Sequence, residues 1–455
     1  MIKEETIAAI STPIGSAGIG IIRISGEKAK SIAEKLVQRK TNTFESNKVY
    51  ISNIFNSKKE KIDKAVVLYM KAPKSYTGED VIEIQAHGGV YILQSILEEV
   101  INNGARLAEP GEFSKRAFLN GKIDLTQAEA VMDLIHSRSS YARKVAISQL
   151  DGQEKKEIQQ IAGSILENVA YIETALDDPE HYDLNVYRKK LHKTLINIKG
   201  KIDKIISDSK KGSLIKEGIR TAIVGKTNAG KSTLLNALAR KERAIVTDIE
   251  GTTRDSIEET VMLDNMILTL VDTAGIRETS DVIESIGIRK SYEAIKHADL
   301  ILYVLDSTKE LDDNDRKIID KIDDKHTIVV LNKVDSKTLL GEEEIKKNIK
   351  APIIEISAKK GIGIDKLINQ IEKRYIKSNA INDESIIVTN IRHIDLLKKS
   401  RKSVKLAIEA IDNGISEDFL TIDLMDAYNY LGNITGETTS EDLINEIFSK
   451  FCVGK

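Results

Sequence analysis

The chain has 455 residues, of which 41% are hydrophobic, and its formal net charge is −2. This length predicts two to four domains, and the near-neutral charge excludes a global basic field that would attract nucleic acid. A single cysteine excludes an internal disulfide framework. We expect a cytoplasmic protein without membrane contact, because no signal-peptide pattern begins the chain and no run reaches the roughly 18 apolar residues of a membrane span.

Residues 1–120 are predicted to form a mixed α/β domain. Gly- and Pro-containing turns separate short β-rich runs, which cover residues 6–10, 20–24, 65–69 and 81–84. A turn is expected at residues 87–89, after the last of these runs. A helix is expected over residues 90–101, where an Asn-Asn-Gly sequence ends it.

From residue 126 the hydrophobic pattern becomes helical. Apolar residues recur at helical spacing up to residue 176 and again over residues 187–207. The same pattern returns later, over residues 394–411, 419–431 and 440–451. We therefore predict one helical domain, formed by residues 121–215 and 379–455, whose halves pack together and flank an inserted domain of residues 216–378. The helical segments are dense in Lys and Arg, a pattern that usually indicates a solvated face.

The inserted domain begins with a phosphate-binding motif, TAIVGKTNAGKS, at residues 221–232. An apolar run precedes Gly225 and leucines at helical spacing follow Ser232, which is the strand–loop–helix context that the motif requires. Its glycines allow backbone N–H groups to turn toward phosphate oxygens. Lys231 is predicted to reach the β- and γ-phosphates, and Ser232 to ligate Mg²⁺. The nucleotide-binding residues predicted here are Asn228, Ala229, Gly230, Lys231, Ser232 and Thr233.

Three further motifs each follow a predicted strand. DTAG at residues 272–275 places a carboxylate where it can hold Mg²⁺ through water, beside a glycine that can sense the γ-phosphate. Asp335, in NKVD, can accept hydrogen bonds from the N1–H and 2-amino groups of guanine, and SAK at residues 357–359 suits a backbone contact to guanine O6. Four such motifs in this order are typical of a Ras-like GTP-binding domain. The predicted nucleotide-binding residues are Asp272, Thr273, Ala274, Gly275, Asn332, Lys333, Asp335, Ser357, Ala358 and Lys359.

Two features distinguish this domain from Ras-like enzymes that carry a glutamine after the Asp-x-x-Gly motif. That position is Ile276, which cannot orient water, so Glu284 is our candidate for this role. Phosphoryl transfer also needs positive charge, often from an arginine finger that raises the rate by about 10³–10⁵. K⁺ could supply this charge instead, held by the Asn228 carboxamide oxygen and by carbonyl oxygens of the next loop. Thr253 would complete the Mg²⁺ shell. The residues of that loop are Thr247, Asp248, Ile249, Glu250, Gly251, Thr252 and Thr253.

The chain resembles the tRNA modification GTPase MnmE family, also called TrmE, along its whole length. Two sequence segments that show the resemblance are SYTGEDVIEIQAHGG at residues 75–89 and EPGEFSKRAFLNGKIDLTQAEA at residues 109–130. The others are VGKTNAGKST, TDIEGTTRD, DTAGIRE and the terminal CVGK. The resemblance implies an N-terminal α+β domain similar to tetrahydrofolate-binding domains, which also mediates homodimerisation. It also implies a helical domain interrupted by a Ras-like P-loop GTPase domain.

The resemblance assigns ligands residue by residue. K⁺ would be held by Asn228, Thr247, Ile249 and Thr252, and Mg²⁺ by Ser232 and Thr253. Dimerisation of the G domains with K⁺ would drive GTP hydrolysis, and Glu284 would orient the water. The folate-contacting positions fall on Arg23, Glu79, Lys122 and Lys455. A carboxylate suits the donor edge of a pterin, and cations suit the glutamyl tail.

The resemblance also implies partners. With MnmG, an FAD- and NADH-dependent protein that forms a heterotetramer with it, the family adds a carboxymethylaminomethyl or aminomethyl group to C5 of the wobble uridine of certain tRNAs. The carbon comes from a 5-formyl- or 5,10-methylene-tetrahydrofolate.

Cys452 has two interpretations. A lone cysteine is usually a small buried hydrophobe or has no specific role. Beside Gly454, with no bulky residue after Val453, it can instead extend into a cleft. There our hypothesis is that it attacks C6 of uracil or otherwise serves the transfer.

Two other functions stay open from the residues alone. A ribosome-assembly or other regulatory GTPase switch usually carries an RNA-binding appendage, and the sequence has no KH signature and no strongly basic tail. A folate-dependent transferase with a vestigial G domain is the second, and the complete set of four G motifs argues against it.

Overall fold

The structure is a computed structural model that describes residues 5–38, 44–178, 180–182, 184–241, 260–271, 295–322, 324, 326–375 and 386–454. The chain divides into two compact units. The first contains residues 1–132, 149–184 and 412–455, and the second contains residues 133–148 and 185–411. Among the helices described, none combines the length and the apolar character needed to cross a membrane.

The strands, in chain order, are β1 (Ile7–Ile10), β2 (Ala17–Ser25), β3 (Val49–Phe55), β4 (Lys61–Met70), β5 (Val81–Gly88), β6 (Arg106–Leu107), β7 (Ile219–Val224), β8 (Thr260–Met262), β9 (Ile267–Leu270), β10 (Leu300–Asp306), β11 (Thr327–Asn332) and β12 (Ile353–Glu355). The described helices are α1 (Ala29–Leu36), α2 (Val90–Asn102), α3 (Glu112–Leu119), α4 (Leu125–Ile135), α5 (Ser140–Leu150), α6 (Gln153–Asp177), α7 (Leu184–Glu217), α8 (Lys231–Lys241), α9 (Asp313–Ile319), α10 (Glu342–Asn348), α11 (Ile364–Tyr375), α12 (Ile391–Asp412), α13 (Glu417–Thr435) and α14 (Glu441–Ser449).

A six-stranded sheet in the order β3-β4-β5-β2-β1-β6 forms the N-terminal part of the first unit. Its neighbours pair antiparallel except β1 and β6, which are parallel. Alternate residues of its central strands, such as Ile22 and Ile84, pack with Leu93 and Ile96 of α2 in one buried cluster. This alternation is what a sheet covered on one face by helices requires.

The predicted strands and helix of this part are confirmed, but the turn expected at residues 87–89 is wrong. Strand β5 continues through His87 to Gly88, and Gly88 pairs with Ala17 of β2. A β-carbon on Gly88 would lie 2.6 Å from the Ala17 carbonyl oxygen. This glycine therefore allows two strands to approach closely, and the chain turns only after it.

The helical stretch predicted from residue 126 to 176 is three helices, α4, α5 and α6. The break before α6 falls at Gly152, whose φ of +80° lies in the left-handed region. The break before α5 falls at Ser139, whose hydroxyl accepts a hydrogen bond from the Ala142 N–H at 3.1 Å and so competes with helix continuation. Periodicity alone does not show such breaks, because the apolar spacing continues across them.

Helices from the two predicted halves of the helical domain contact each other within each unit, but the two units divide these halves between them, so a single helical domain stays a prediction. In the first unit α6 contacts α13, and α14 contacts α3. Leu125 of α4 lies in one buried cluster with Ile447 and Phe448 of α14. In the second unit α7 and α12 are joined by an ion pair between Asp203 and Arg401, with 3.1 Å between Oδ1 and Nη1.

The second unit contains a six-stranded sheet in the order β12-β11-β10-β7-β9-β8, parallel throughout except for β8 and β9. Every residue of β11 and all but the last of β10 are buried, as expected for parallel strands covered on both faces. Strand β10 lies between β7 and β11. The loops after β7 and β11 therefore meet at the carboxyl edge of the sheet, the usual ligand site of such folds.

Candidate nucleotide-binding site and a second charged cluster

The phosphate loop connects β7 to α8 through two glycines that no other residue could replace without strain. Gly225 has φ +145° and Gly230 has φ +101°, values that residues with a side chain rarely adopt. A β-carbon on Gly225 would clash with the Val304 carbonyl oxygen, and one on Gly230 would clash with the Asn332 amide nitrogen. The loop therefore packs closely on β10 and β11.

Lys231 lies half-buried at the start of α8. Its Nζ donates hydrogen bonds to the carbonyl oxygens of Gly225 and Lys226, each at 2.8 Å. Burial lowers the pKa of Lys231, because the ammonium loses water and gains no counter-charge. A phosphate group would supply that charge, and the N–H groups in the first turn of α8 would add donors to it.

Asn228 takes a left-handed conformation with φ +62°. Its carbonyl oxygen accepts a hydrogen bond from Lys333 Nζ at 2.8 Å, and the same ammonium donates to Asp306 Oδ2 at 2.6 Å. The motif after β11 thus fixes the backbone of the phosphate loop. Burial of Asp306 disfavours its charge, but the hydrogen bonds from Lys333 and Thr308 together outweigh burial and lower the pKa of Asp306.

Asn332 joins the three motifs of this edge. Its Nδ2 donates to the Ala229 carbonyl oxygen at 2.9 Å, and its Oδ1 accepts from the Ala358 N–H at 3.0 Å. The side chain is buried, so these bonds are shielded from water. Breaking them would leave buried polar groups unsatisfied, which costs about 1–3 kcal/mol for each group.

Asp335 lies at the side of the site where guanine specificity is expected. A hydrogen bond from Ser357 and the nearby Lys360 ammonium, 3.3 Å from Oδ2, lower the pKa of Asp335. The carboxylate is therefore ionised at neutral pH and acts only as an acceptor. This is the group that the two donors of the guanine edge require.

Several predicted site residues lie outside the described residues. They are Thr247, Asp248, Ile249, Glu250, Gly251, Thr252, Thr253, Asp272, Thr273, Ala274, Gly275, Glu284 and Lys455. Of the predicted K⁺ ligands the described part of the chain contains Asn228, and of the Mg²⁺ ligands it contains Ser232.

A second charged cluster lies in the first unit around Arg23. Arg23 and Glu83 face each other across β2 and β5, and Nε and Nη2 of Arg23 donate to Glu83 Oε1 at 3.0 and 2.9 Å. The Arg23 guanidinium also lies 5.6 Å from the Tyr76 ring centre and 5.7 Å from that of Phe113. Phe113 is buried and Tyr76 is half-buried, so Tyr76 and the paired charges are the groups that suit a planar, partly charged ligand.

Glu79 belongs to the loop of residues 76–79, which Arg23 and Lys122 both contact. Glu79 accepts hydrogen bonds from Arg116 Nη1 at 3.0 and 3.1 Å and from the Ser25 hydroxyl at 2.6 Å. The stem of Lys122 lies against Gly78, where a β-carbon would be 3.3 Å from Lys122 Cγ. The structure therefore brings Arg23, Glu79 and Lys122 to the loop of residues 76–79.

The chain end also reaches this cluster. Arg23 Nη1 donates to the Gly454 carbonyl oxygen at 3.4 Å, and the Gly111 N–H donates to the Cys452 carbonyl oxygen at 3.3 Å. Gly454 has φ +89°, and a β-carbon there would lie 2.7 Å from the Ile10 carbonyl oxygen. The Cys452 side chain is exposed, so the interpretation as a small buried hydrophobe is wrong.

The comparisons with known proteins cover the whole chain. Residues 6–122 match the family model of the GTP-binding protein TrmE N-terminus, and residues 125–452 match that of the MnmE helical domain. The tRNA modification GTPase MnmE of Lachnoclostridium phytofermentans is 46% identical over 100% of both chains, and that of Clostridioides difficile is 44% identical over 100% of both. This chain belongs to the tRNA modification GTPase MnmE family. Among solved structures, Aquifex aeolicus Era bound to GDP and AlF₄⁻ is 29% identical, with 41% of this chain and 67% of that chain covered and a TM-score of 0.27.

In MnmE-family terms the chain has a TrmE N-terminal domain, an MnmE helical domain and a Ras-like G domain. Two charged residues of the N-terminal cluster, Glu83 and Arg116, were not predicted from the sequence. Glu83 could have been noticed in the sequence, because it is a charged residue between Ile82 and Ile84, which are buried in β5. Its partner could not be named before the pairing of β2 with β5 was known.

The contacts of Lys226 in the phosphate loop of this MnmE-family chain were not predicted either. Its Nζ forms ion pairs with Asp315 and, at 2.6 Å, with Asp312. Asp312 is the N-cap of α9. Burial alone would lower the pKa of Lys226, but its hydrogen bonds to the two carboxylates raise it. Lys226 occupies a variable position of the motif, so the motif gave no signal for these contacts.

Proposed function

We propose that this MnmE-family GTPase hydrolyses GTP with Mg²⁺ and K⁺. With MnmG it then adds a carboxymethylaminomethyl or aminomethyl group to C5 of the wobble uridine of certain tRNAs. The observation that supports this most directly is the buried Asn332, which joins the phosphate loop to both guanine-side motifs at one edge of the sheet. A full-length match to relatives named for tRNA modification supports the substrate class.

Within the G domain, the chain's own residues would bind and orient the nucleotide. Lys231 and the first turn of α8 would hold the β- and γ-phosphates, because they present a poorly solvated cation and the backbone N–H donors of a helix N-terminus. Asp335 would accept from the guanine N1–H and 2-amino groups, while the Ser357–Lys359 segment would contact O6. Glu284 would orient the attacking water.

The cations would be held by oxygen ligands. Mg²⁺ would contact Ser232 and Thr253, and K⁺ would contact Asn228, Thr247, Ile249 and Thr252. The Asn228 carbonyl is engaged by Lys333, whereas a carboxamide oxygen is a neutral ligand that suits a monovalent cation. Both ions supply positive charge to the transferring phosphoryl group.

The N-terminal cluster is our proposed site for a 5-formyl- or 5,10-methylene-tetrahydrofolate. Arg23, Glu79, Lys122 and Lys455 are the proposed contacts. The Glu79 carboxylate accepts from Arg116 and Ser25, yet two carboxylate oxygens offer about four acceptor sites. Capacity therefore remains for the donor edge of a pterin. The exposed Cys452, at the same chain end as Gly454, is our proposed participant in the transfer.

The proposed domain division is 1–120 for the folate-binding and dimerisation domain, 121–215 and 379–455 for the helical domain, and 216–378 for the G domain. The proposed assembly is a homodimer that forms a heterotetramer with MnmG and acts on tRNA in the cytoplasm.

The experiment that tests this proposal is mass spectrometry of wobble uridines in tRNA from cells lacking the protein. We expect the C5 group to be absent and to return with the wild-type gene but not with Lys231→Ala, since that variant cannot hold the phosphates. Lys366→Ala, an exposed position on α11, is the control and should restore the group. A full C5 group in the cells lacking the protein would overturn the proposal.

A further inference from the structure

Two helices of the second unit carry a local excess of positive charge. Helix α7 has ten Lys or Arg residues and three Asp or Glu residues, a net charge of +7, and α12 has six and three, a net charge of +3. The whole chain has a net charge of −2, so the other residues together carry −12. Such segregation creates a local positive field that the total charge hides.

On α7 the unpaired lysines lie along one side of the helix. They are exposed and have no ion-pair partner among the described residues, and they are Lys189, Lys190, Lys193, Lys201 and Lys204. At about 100° per residue, the five occupy a sector of about 120°. The opposite side is the buried stripe that includes Leu195, Ile198 and Ile202. From Lys190 to Lys204 the row is about 21 Å long.

Helix α12 adds two exposed lysines without an ion pair in the described part of the chain, Lys398 and Lys402. Its other exposed lysines, by contrast, are neutralised within the helix: Lys399 pairs with Asp395 at 2.8 Å, and Lys405 pairs with Glu409 at 3.2 Å.

The two rows face the same side of the helix pair. Asp203 of α7 pairs with Arg401 of α12. Gly212, which comes later in α7, lies against Val388, which comes before α12. The helices therefore run antiparallel. Viewed along each helix axis in the N-to-C direction, the lysines without an ion pair lie about 40–160° beyond the residue that contacts the other helix. That residue is Asp203 on α7 and Arg401 on α12. In an antiparallel pair this places both rows on one surface, which we call the lysine surface: Lys189, Lys190, Lys193, Lys201, Lys204, Lys398 and Lys402.

We infer that the lysine surface binds the phosphate backbone of tRNA, an inference that rests on the proposed function. Lysine is a hydrated point charge that contacts phosphates without reading sequence. A protein-docking surface would instead need buried aromatic or apolar anchors. Tyr187, the aromatic residue of α7, is buried, and α12 has no Phe, Tyr or Trp. Ile196 and Leu406 are exposed aliphatic residues of these helices, but they are outnumbered by the seven lysines, so the charge favours a polyanion over an acidic protein.

The test is binding of an unmodified tRNA transcript to the full-length protein over a series of KCl concentrations. The variant combines Lys190→Gln, Lys193→Gln, Lys201→Gln and Lys204→Gln. At about 0.1 M KCl we expect at least a tenfold weaker Kd. The slope of log K against log [KCl] should fall by about 2–4, since each phosphate contact contributes about 0.7–0.9.

The matched control is a second fourfold variant in the same unit. It changes to glutamine four lysines that are exposed and have no ion pair in the described chain, namely Lys321, Lys347, Lys366 and Lys373. This control should keep the wild-type Kd and salt slope. Both variants should keep the wild-type rate of GTP hydrolysis, which shows that each is folded.

Two results would overturn the inference. One is tRNA binding by the α7 variant with the wild-type Kd and salt slope. The other is unchanged tRNA binding with lost binding to MnmG, which would make the lysine surface a protein-docking face. If the wild-type protein does not bind tRNA with or without MnmG, the tRNA partnership in the proposed function fails as well.

Discussion

At the scale of single residues, the G-domain site is organised by one buried amide. Asn332 donates to the phosphate loop and accepts from Lys333 and Ala358 backbone N–H groups at 2.8 and 3.0 Å. The protein thus uses both acceptor positions of this side chain and one of its two amide N–H groups. The nearby Asp335, whose carboxylate is held ionised by Ser357 and Lys360, is the group that would face the base.

We predict that Asp335→Asn changes the base preference of the protein. An asparagine offers one acceptor and one donor, which fits the N1–H and 2-oxo groups of xanthine but not the two donors of guanine. Since the charged acceptor of two guanine donors is lost, GTP affinity should fall roughly 10- to 100-fold while XTP affinity rises. Competition binding with a fluorescent nucleotide measures both.

The control for this substitution is Asp313→Asn, which changes an exposed aspartate of the same unit. It should leave GTP affinity as in the wild type. Equal GTP affinity in Asp335→Asn and the wild-type protein would remove Asp335 from the guanine contact.

At the scale of elements, the C-terminal segment after α14 is held against the start of α3 and the end of β1. A β-carbon on Gly111 would clash with the Phe448 carbonyl oxygen, and one on Gly454 would lie 2.8 Å from Ser11 Cα. These two glycines permit the close approach that brings the Gly454 carbonyl to Arg23. The position of the chain end is therefore a property of backbone packing.

We predict that Gly454→Ala weakens folate binding. The added methyl group meets the β1 backbone, so the segment must move away and the contact between Arg23 and Gly454 is lost. Titration with 5-formyl-tetrahydrofolate should show a several-fold weaker Kd, with normal GTP hydrolysis.

The matched control is Gly414→Ala, since Gly414 also has a positive φ of +68° but has nothing within 4 Å of a β-carbon. It carries a similar backbone strain, about 1–3 kcal/mol, without the clash. Equal folate affinity in Gly454→Ala and Gly414→Ala would show that the chain end does not shape the cluster.

The elements also show how far the sequence could predict this structure. Motifs that depend on backbone conformation, such as the loop from Gly225 to Gly230, could be recognised in the sequence because few residues other than glycine tolerate positive φ values. Pairings between distant segments were not. The contact of Arg23 with Glu83 depends on the order of strands, and that of Lys226 with Asp312 depends on where α9 begins. Neither is set by local spacing.

At the scale of the whole molecule, the chain combines a GTPase domain with a separate charged cluster at its chain end. The two lie in different compact units. Joint action would require GTP hydrolysis to change the state of the assembly. In our account this change is the K⁺-dependent dimerisation of G domains, and the cation replaces the arginine finger. The central claim is therefore about K⁺.

The most direct test of this claim is the rate of GTP hydrolysis by the full-length protein in KCl and in NaCl at equal ionic strength. We predict a rate at least tenfold higher in KCl, because the cation takes a role worth about 10³–10⁵ in related enzymes. Asn228→Ala should lose this difference, while Asn236→Ala, an exposed position on α8, should keep it. Equal wild-type rates in the two salts would contradict the account.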